Sequence, residues 1–172
     1  MNDITKLYKN KFRIESSRLK NWDYSTPWWY YVTICTKDMR CWFGTIKSGN
    51  MKLNDLGKIV ELVWNDIPKH YPNIELDYYV TMPNHFHGII INNVETGHAP
   101  SLLMKAPTLG NVVGSFKSAV SRWANKNDHN NFKWQQRFYD HIIRNESDLL
   151  RIRNYIKNNP LKWELDEYYR KN

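Results

Sequence analysis

The sequence predicts an α+β domain in which helices pack on an antiparallel sheet. Short aromatic and β-branched runs, typical of strands, recur along the chain. Between them lie longer segments whose apolar residues repeat at helical spacing. The resulting order, β-β-α-β-β-α-β-α, favours helices layered on an antiparallel sheet. With 172 residues, the chain fits a single domain over 1–172, with an N-terminal arm at 1–24 and a C-terminal tail at 161–172.

The first three predicted elements are a β-hairpin and a helix. Residues 28–35 (WWYYVTIC) and 40–46 (RCWFGTI) flank the polar stretch TKDM, which predicts two paired strands and their turn. A helix follows from Asn54, a suitable N-cap, and its apolar stripe continues until Pro68 intervenes.

Two more strands and a long loop are predicted in the middle of the chain. Residues 74–82 and 85–92 are strand-like and are joined at Pro83-Asn84, a dipeptide that favours a turn. Residues 93–107 contain one glycine and two prolines and predict a loop, and loops of this length are often functional.

The last three elements are a helix, a strand and a helix. Thr108 is the expected cap of the second helix, which has one apolar stripe and ends at the polar stretch NKNDHNN. Residues 138–144 (FYDHIIR) alternate like a strand. Residues 147–159 form a third predicted helix, which Pro160 ends.

Composition indicates a basic, aromatic-rich chain. Lys and Arg outnumber Asp and Glu by 25 to 17, for a net charge of +8, and aromatic residues make up 15% of the chain. Basic charge attracts phosphate and exposed rings can stack on unpaired bases, so nucleic acid is the leading partner. Rings that fill the core and charges that solvate the surface explain the same composition equally well.

Other sequence features limit the class of protein. The chain has no apolar run long enough to span a bilayer, and its first residues lack the apolar centre of a secretory signal. We therefore expect a cytoplasmic protein with no membrane partner. Cys35 and Cys41 have neither the number nor the spacing of a disulfide framework or a zinc knuckle, and we expect reduced thiols.

The segment YYVTMPNHFHGIIIN carries two histidines, His85 and His87, in an otherwise apolar strand. Side chains alternate along a strand, so both imidazoles point to the same face while Phe86 points into the body of the sheet. Two histidines that are merely hydrogen-bonded on this face remain one explanation. A structural zinc ion is disfavoured because four N or S ligands would be needed. A catalytic divalent ion with open coordination positions is the more specific hypothesis.

Three segments resemble a known family. MPNHFHGIIIN resembles the His-hydrophobe-His motif of the HUH single-strand DNA endonucleases. WQQRFYDHIIRNESDLLRIRNYIKNNP is similar to the C-terminal region of the REP-associated tyrosine transposases, and RLKNWDYSTPWWYYVTICTKDMRCWFG to the opening of many such proteins. The resemblance extends from about residue 15 onward. The His-hydrophobe-His triplet alone is a weak signal, but the triplet, the WQQRFYDHIIR segment and YIKNNP in this order make the resemblance specific.

The resemblance implies a fold, an activity and a set of site residues. The expected fold is an RRM-like or ferredoxin-like sheet with the histidines on a central strand. The expected enzyme uses Mg²⁺ or Mn²⁺ to cut and rejoin single-stranded or hairpin DNA through a 5′-phosphotyrosine. The nucleophile falls on Tyr155, and the metal ligands fall on His85, His87 and Asn159. The family commonly has Gln at the last position.

Helical spacing supports the placement of Tyr155 independently of the resemblance. Tyr155 and Asn159 lie one turn apart, beside the apolar stripe of the third helix. Pro160 disfavours helical geometry at Asn159, so a loosened last turn is expected there. This helix follows closely on the strand FYDHIIR, so one chain can complete the site in cis, as a monomer.

Further residues are candidates for DNA binding. Lys117, Arg122, Arg137 and Arg144 are expected to hold phosphates and Trp134 to stack a base, although solvated charges and a ring at the core edge would explain them equally. Two alternatives remain open for the whole chain. One is a non-catalytic single-strand binding module with an RRM-like sheet, and the other is a metal-dependent phosphodiesterase that uses water as its nucleophile.

Overall fold

The structure, a computed structural model, describes residues 19, 22–93 and 107–170. These residues contain six strands and four α-helices. The strands are β1 (Trp29–Cys35), β2 (Gly44–Lys47), β3 (Asn50–Leu53), β4 (Ile74–Thr81), β5 (His85–Asn92) and β6 (Tyr139–Ile142). The α-helices are α1 (Asp55–Asn65), α2 (Ile67–His70), α3 (Leu109–Lys126) and α4 (Glu146–Asn158). Short 3-10 helices cover Lys37–Met39 and Pro160–Leu165.

Four antiparallel strands form the main sheet, in the order β4-β5-β1-β6. The predicted α+β class is confirmed. β5 and β1 are the two central strands, and their register places Thr33 opposite His87 and Cys35 opposite His85. The histidine pair therefore lies in the middle of the sheet, where both neighbouring strands fix its position.

The predicted hairpin between residues 28–35 and 40–46 is wrong. β2 pairs instead with β3 in a separate two-stranded sheet, and β1 pairs with β5 and β6. The connection from β2 to β3 is the dipeptide Ser48-Gly49, and both residues have positive φ, 49° and 73°. Positive φ at both central residues suits the tight turn that the twist of a two-residue hairpin requires. The aromatic runs indicated strands correctly, but hydrophobic pattern does not specify which strands pair.

Helices cover both faces of the main sheet. Phe86 and Ile90 of β5 belong to the larger core, which includes residues of α1 and α3 such as Trp64 and Phe116. Ile89 points to the opposite face and packs on the buried stripe of α4, which comprises Leu149, Ile152 and Ile156. The alternation predicted for β5 is thus observed. The two histidines share the α4 face.

The predicted helix starts are confirmed. The side chain of Asn54 accepts a hydrogen bond from the Gly57 backbone (2.9 Å), and Thr108 forms a reciprocal capping box with Asn111. These bonds satisfy backbone N–H groups that the first helical turn leaves unpaired.

The end of α4 differs from the expectation. Asn159 keeps helical geometry (φ −59°, ψ −44°) although Pro160 follows it. Its N–H donates to the Ile156 carbonyl three residues back (3.3 Å), and Pro160 begins the 3-10 helix directly. The chain therefore tightens into a 3-10 turn here, and the segment after α4 packs against the sheet through the buried Trp163.

Two predicted segments lie mostly outside the described residues, the N-terminal arm 1–24 and the loop 93–107. Among the helices that the structure describes, none combines the length and the apolar composition needed to cross a membrane.

Gly88→Ala is expected to destabilise the protein by about 1–3 kcal/mol, the usual range for overpacking a well-filled core. A Cβ at this position of β5 would lie 2.4 Å from the ring of the fully buried Trp64. Chemical denaturation measures the change in the free energy of unfolding. Gly114→Ala on α3 is the matched control, because a Cβ there meets no atom within 4 Å, and it is expected to stabilise by roughly 0.5–1 kcal/mol. Equal effects of the two substitutions would contradict the packing argument.

Candidate active site

His85 and His87 form a buried pair on β5, with ring centroids 4.5 Å apart. His85 bonds through Nδ1 to the side-chain oxygen of Asn84 (2.8 Å), and His87 through Nδ1 to the hydroxyls of Tyr31 (2.7 Å) and Thr33 (2.9 Å). Neither Nε2 atom has a hydrogen-bond partner among the described residues, although both are buried. Buried polar atoms without partners are costly, so two of them side by side indicate a ligand site.

The tautomer of His85 follows from its neighbour. The amide nitrogen of Asn84 donates to the carbonyls of Met39 (3.0 Å) and Tyr168 (2.8 Å), which fixes the side-chain oxygen toward His85. That oxygen can only accept, so Nδ1 of His85 carries the proton and Nε2 carries the lone pair. A lone pair on a neutral imidazole is the form that binds a metal ion.

Burial keeps both imidazoles neutral. It lowers the pKa of His85 to about 4, against an ordinary value of 6.5, while the Asp166 carboxylate acts in the opposite direction. Burial, together with the adjacent His85, also holds the pKa of His87 well below its ordinary value. Because Nδ1 of His85 carries the proton of its neutral ring, the Nε2 lone pair of His85 is available at neutral pH without competition from protons.

A carboxylate that the sequence analysis missed completes the group. Asp166 follows the 3-10 helix after α4, and one ligand atom from each of His85, His87 and Asp166 lies within 4.8 Å of the others. No sequence pattern marked Asp166, since it lies in the segment predicted as a polar tail. It reaches the histidines only because the 3-10 helix turns the chain back toward β5.

Asn159 lies at this site but contacts Asp166. Its amide nitrogen donates to Asp166 Oδ2 (2.8 Å). The Asn159 side-chain oxygen is buried and has no hydrogen-bond partner in the described part of the chain. The structure therefore brings together the three predicted metal-ligating residues and adds a carboxylate to them.

Tyr155 lies on the exposed rim of the same group. Its hydroxyl donates to Asp166 Oδ2 (3.4 Å), and its ring centroid is 5.3 Å from that of His87. Burial raises the pKa of Tyr155, and the carboxylates of Asp166 and Glu167 raise it further. The phenol is therefore protonated at neutral pH, and any attack by its oxygen has to transfer the proton to an acceptor.

Tyr168 also packs into the site. Its ring centroid is 4.7 Å from that of His85, so this residue of the predicted C-terminal tail lies at the site. Burial, followed by the carboxylate of Glu167, raises the pKa of Tyr168 as well. The rings of both Tyr155 and Tyr168 thus lie beside the histidine pair.

Two cavities meet at Tyr155. One, of about 490 Å³, lies between β1, β6 and α4, and its walls include Thr33, His141 and Tyr168. The other, of about 510 Å³, lies on the far side of Tyr155, beside Asn159 and Asp166. Tyr155 is therefore accessible from both cavities.

The residues predicted to bind DNA are spread over the molecule. Lys117 donates to the carbonyls of Gln135 (2.7 Å) and Gln136 (3.2 Å), and Trp134 packs among core rings on the α3 face. Arg122 is exposed on α3, away from the histidine face.

The two remaining arginines lie on other surfaces. Arg137 borders a cavity of about 220 Å³ that Thr33 and Tyr168 also line, and these two residues contact the histidines. Arg144 lies at a separate cavity next to the start of α4. Of the five residues predicted to contact DNA, only Arg137 is brought next to the candidate site.

Comparison with known proteins places the chain in a family. An uncharacterized protein of Haemophilus influenzae is 41% identical to the chain over 165 residues, which cover 90% of the chain and 92% of the relative. The chain belongs to the same family. No protein-family model matches this family member.

A solved structure shares the fold of this family member. The structure of a REP-associated tyrosine transposase bound to a REP hairpin aligns with a TM-score of 0.58 and 20% identity, covering 86% of the chain and 74% of the other protein. The fold is therefore transposase-like, with an antiparallel sheet and packed helices.

Acidification of the metal-free protein is expected to lower its stability between about pH 6.5 and pH 4. The pKa of each buried histidine is lower in the folded state than in the unfolded state. The unfolded chain therefore binds more protons in this window, and stability present at neutral pH is lost as the pH falls. Urea unfolding in EDTA at several pH values across this range measures the slope of the free energy of unfolding against pH.

His87→Gln is expected to reduce that slope, because it removes one of the two titrating groups. His70→Gln is the control, since His70 is exposed and pairs with Asp66 (3.1 Å) rather than with a residue of the site. An unchanged slope in His87→Gln would show that acid sensitivity arises elsewhere.

Proposed function

We propose that the chain is a metal-dependent endonuclease and strand transferase for single-stranded or hairpin DNA. The observation that carries the proposal is the convergence of the Tyr155 hydroxyl and two unpartnered imidazole nitrogens on Asp166. A nucleophile beside a cation site is the arrangement that phosphoryl transfer requires. The transposase-like fold supports this, and its structural neighbour with a bound REP hairpin supports a hairpin substrate.

The donor set fits a divalent cation. His85 and His87 would bind it through Nε2 and Asp166 through its carboxylate, with the unpartnered oxygen of Asn159 as a further candidate. Two imidazoles with a carboxylate suit Mn²⁺ better than Mg²⁺, which prefers oxygen ligands. A bound ion would supply Lewis-acid stabilisation of the charge on the reacting phosphate.

In the proposed reaction Tyr155 donates a proton and Asp166 accepts it. The phenol oxygen attacks the phosphorus while its proton passes to Asp166 Oδ2, which already accepts its hydrogen bond. The bond between phosphorus and the 3′ oxygen breaks, and that oxygen takes up a proton from water and leaves as a 3′-hydroxyl, while Asp166 releases the phenol proton to water. The remaining DNA is attached to Tyr155 by a 5′-phosphotyrosyl bond, and attack by a 3′-hydroxyl reverses the step and joins strands.

One chain supplies every group in this scheme. His85 and His87 come from β5, Tyr155 from α4 and Asp166 from the segment that follows. Their contacts within a single chain support a monomer that acts in cis.

The alternatives explain the geometry less well. A binding module without a metal would leave two buried Nε2 atoms permanently without partners, which costs stability. A phosphodiesterase that uses water would need no tyrosine at the rim of the site, and a covalent adduct distinguishes it from the proposed mechanism.

Tyr155→Phe is expected to abolish covalent adduct formation while DNA affinity changes little, because the substitution removes only one exposed oxygen. The measurement is incubation with labelled hairpin DNA and Mn²⁺, followed by a denaturing gel. Tyr168→Phe is the matched control and is expected to retain the adduct, although its ring also contacts His85. An adduct formed by Tyr155→Phe but not by Tyr168→Phe would transfer the role of nucleophile to Tyr168.

Replacement of both His85 and His87 by Ala is expected to abolish Mn²⁺ binding measured by calorimetry. Asp166→Asn should also weaken binding strongly, because it removes the charged ligand. Asn159→Ala should weaken it by roughly 10–100-fold if Asn159 acts by holding Asp166. His141→Ala is the control, since His141 bonds to Asp148 outside the cluster (2.7 Å). Unchanged Mn²⁺ affinity in the double variant would refute this metal site.

A further inference from the structure

A third cavity lies on the same face of the sheet as the candidate site but at its other end. It has a volume of about 610 Å³ and lies between the start of α4 and the ends of β1 and β5. Its lining includes Trp28, Trp29, Asn92 and Arg144. Cavities of roughly 300–1,000 Å³ are typical of small-molecule sites, so a nucleotide fits within this volume.

The distance to the candidate site follows from the strand register. Trp29 packs with the residues under α4, so it points to the same face as the histidine pair. It is four residues before Thr33, which lies opposite His87. At about 3.3 Å per residue the cavity lies roughly 13 Å from the histidines, which an extended DNA strand of a few nucleotides can span.

Trp28 presents a fixed aromatic surface at this cavity. The residue is 39% exposed, although its indole nitrogen donates to the Ile143 carbonyl (2.8 Å). Trp22 contacts the ring edge-on, with centroids 5.8 Å apart. The polar edge of the indole is therefore satisfied within the protein, and the ring has no need of a polar ligand. What it offers to a ligand is a surface for stacking.

The two arginines of the cavity have different environments. The guanidinium of Arg153 donates to Asp77 through Nε (2.9 Å) and Nη2 (2.6 Å) and lies over the ring of Tyr78 (5.4 Å). Its charge is thus compensated and its position fixed. Arg144 is exposed, in the short connection between β6 and α4, where its guanidinium can reach a phosphate.

We infer that this cavity is a subsite for one unpaired nucleotide of the DNA strand that reaches Tyr155, with the base against Trp28 and a phosphate on Arg144. The inference rests on the proposed function. The aromatic ring and the cation at one cavity match the two parts of a nucleotide, and base stacking suits an unpaired strand. The subsite would hold the single-stranded flank at a fixed distance from the reacting phosphate.

The test is a scan of abasic positions along the single-stranded flanks of the hairpin. For the wild-type protein, one abasic position is expected to weaken binding by about tenfold, within the range for loss of one stacked base. The intact DNA should bind to the Trp28→Ala variant about tenfold more weakly than to the wild-type protein. An abasic site at the sensitive position should then cause no further loss of affinity. Trp28→Phe keeps a ring and should retain most of the position effect, which guards against misfolding of the Ala variant.

Arg144→Ala should weaken binding of every DNA in the scan and reduce the dependence of affinity on salt. Lys69→Ala is the charge-matched control, because Lys69 lies on α2 and pairs with Asp66 (2.7 Å), and it should change neither quantity. A scan with no sensitive position, or a sensitive position that persists in Trp28→Ala, would overturn the subsite.

Adduct formation by the wild-type protein separates the two proposals. If the adduct forms and the scan is flat, the subsite is wrong and the proposed function stands. If neither adduct nor hairpin binding is observed, the proposed function fails and the subsite fails with it.

Discussion

The pairing of β1 with β5 is the constraint on which the rest of the site depends. The register puts Thr33 directly opposite His87, and the Thr33 and Tyr31 hydroxyls both reach its Nδ1 atom. Cores on both faces of the sheet bury this pairing, so the imidazoles cannot turn toward water. The Nε2 atoms are therefore aimed at the space under α4 before any ligand arrives, and a bound ion would not have to order them.

The carboxylates near Tyr155 have two opposing effects. They raise the pKa of the phenol, as burial does, so the tyrosine is a poor nucleophile in the isolated chain. The same negative charge favours a cation beside the histidines. In the proposed mechanism, a bound cation would offset the negative charge that suppresses ionisation of Tyr155 and would raise the reactivity of its phenol oxygen.

Sequence reasoning predicted local features well. The caps at Asn54 and Thr108, the alternation along β5 and the buried stripe of α4 each depend on spacing within one element, which the sequence carries directly. Strand partners depend on contacts between distant segments, which is why β2 was paired with the wrong strand.

The same distinction applies to the site. His85, His87, Tyr155 and Asn159 are brought together because each has a regular position within an element. Asp166 depends on how an irregular segment turns after a proline, and spacing does not encode such a turn. Lys117 and Trp134 looked like surface contacts in the sequence, but their bonding to neighbouring segments is visible only in three dimensions.

The side chain of Asn84 links parts of the chain that are far apart in sequence. It bonds at once to His85, to the Met39 carbonyl and to the Tyr168 carbonyl, which is 84 residues further along the chain. A chain shortened before Tyr168 would lose one of the two acceptors that keep the amide from turning over. With the amide reversed, its nitrogen would donate to Nδ1 of His85, and the imidazole proton would move to Nε2. The Tyr168 carbonyl thus helps to keep the proton of His85 on Nδ1, although it lies 84 residues from the amide that it holds.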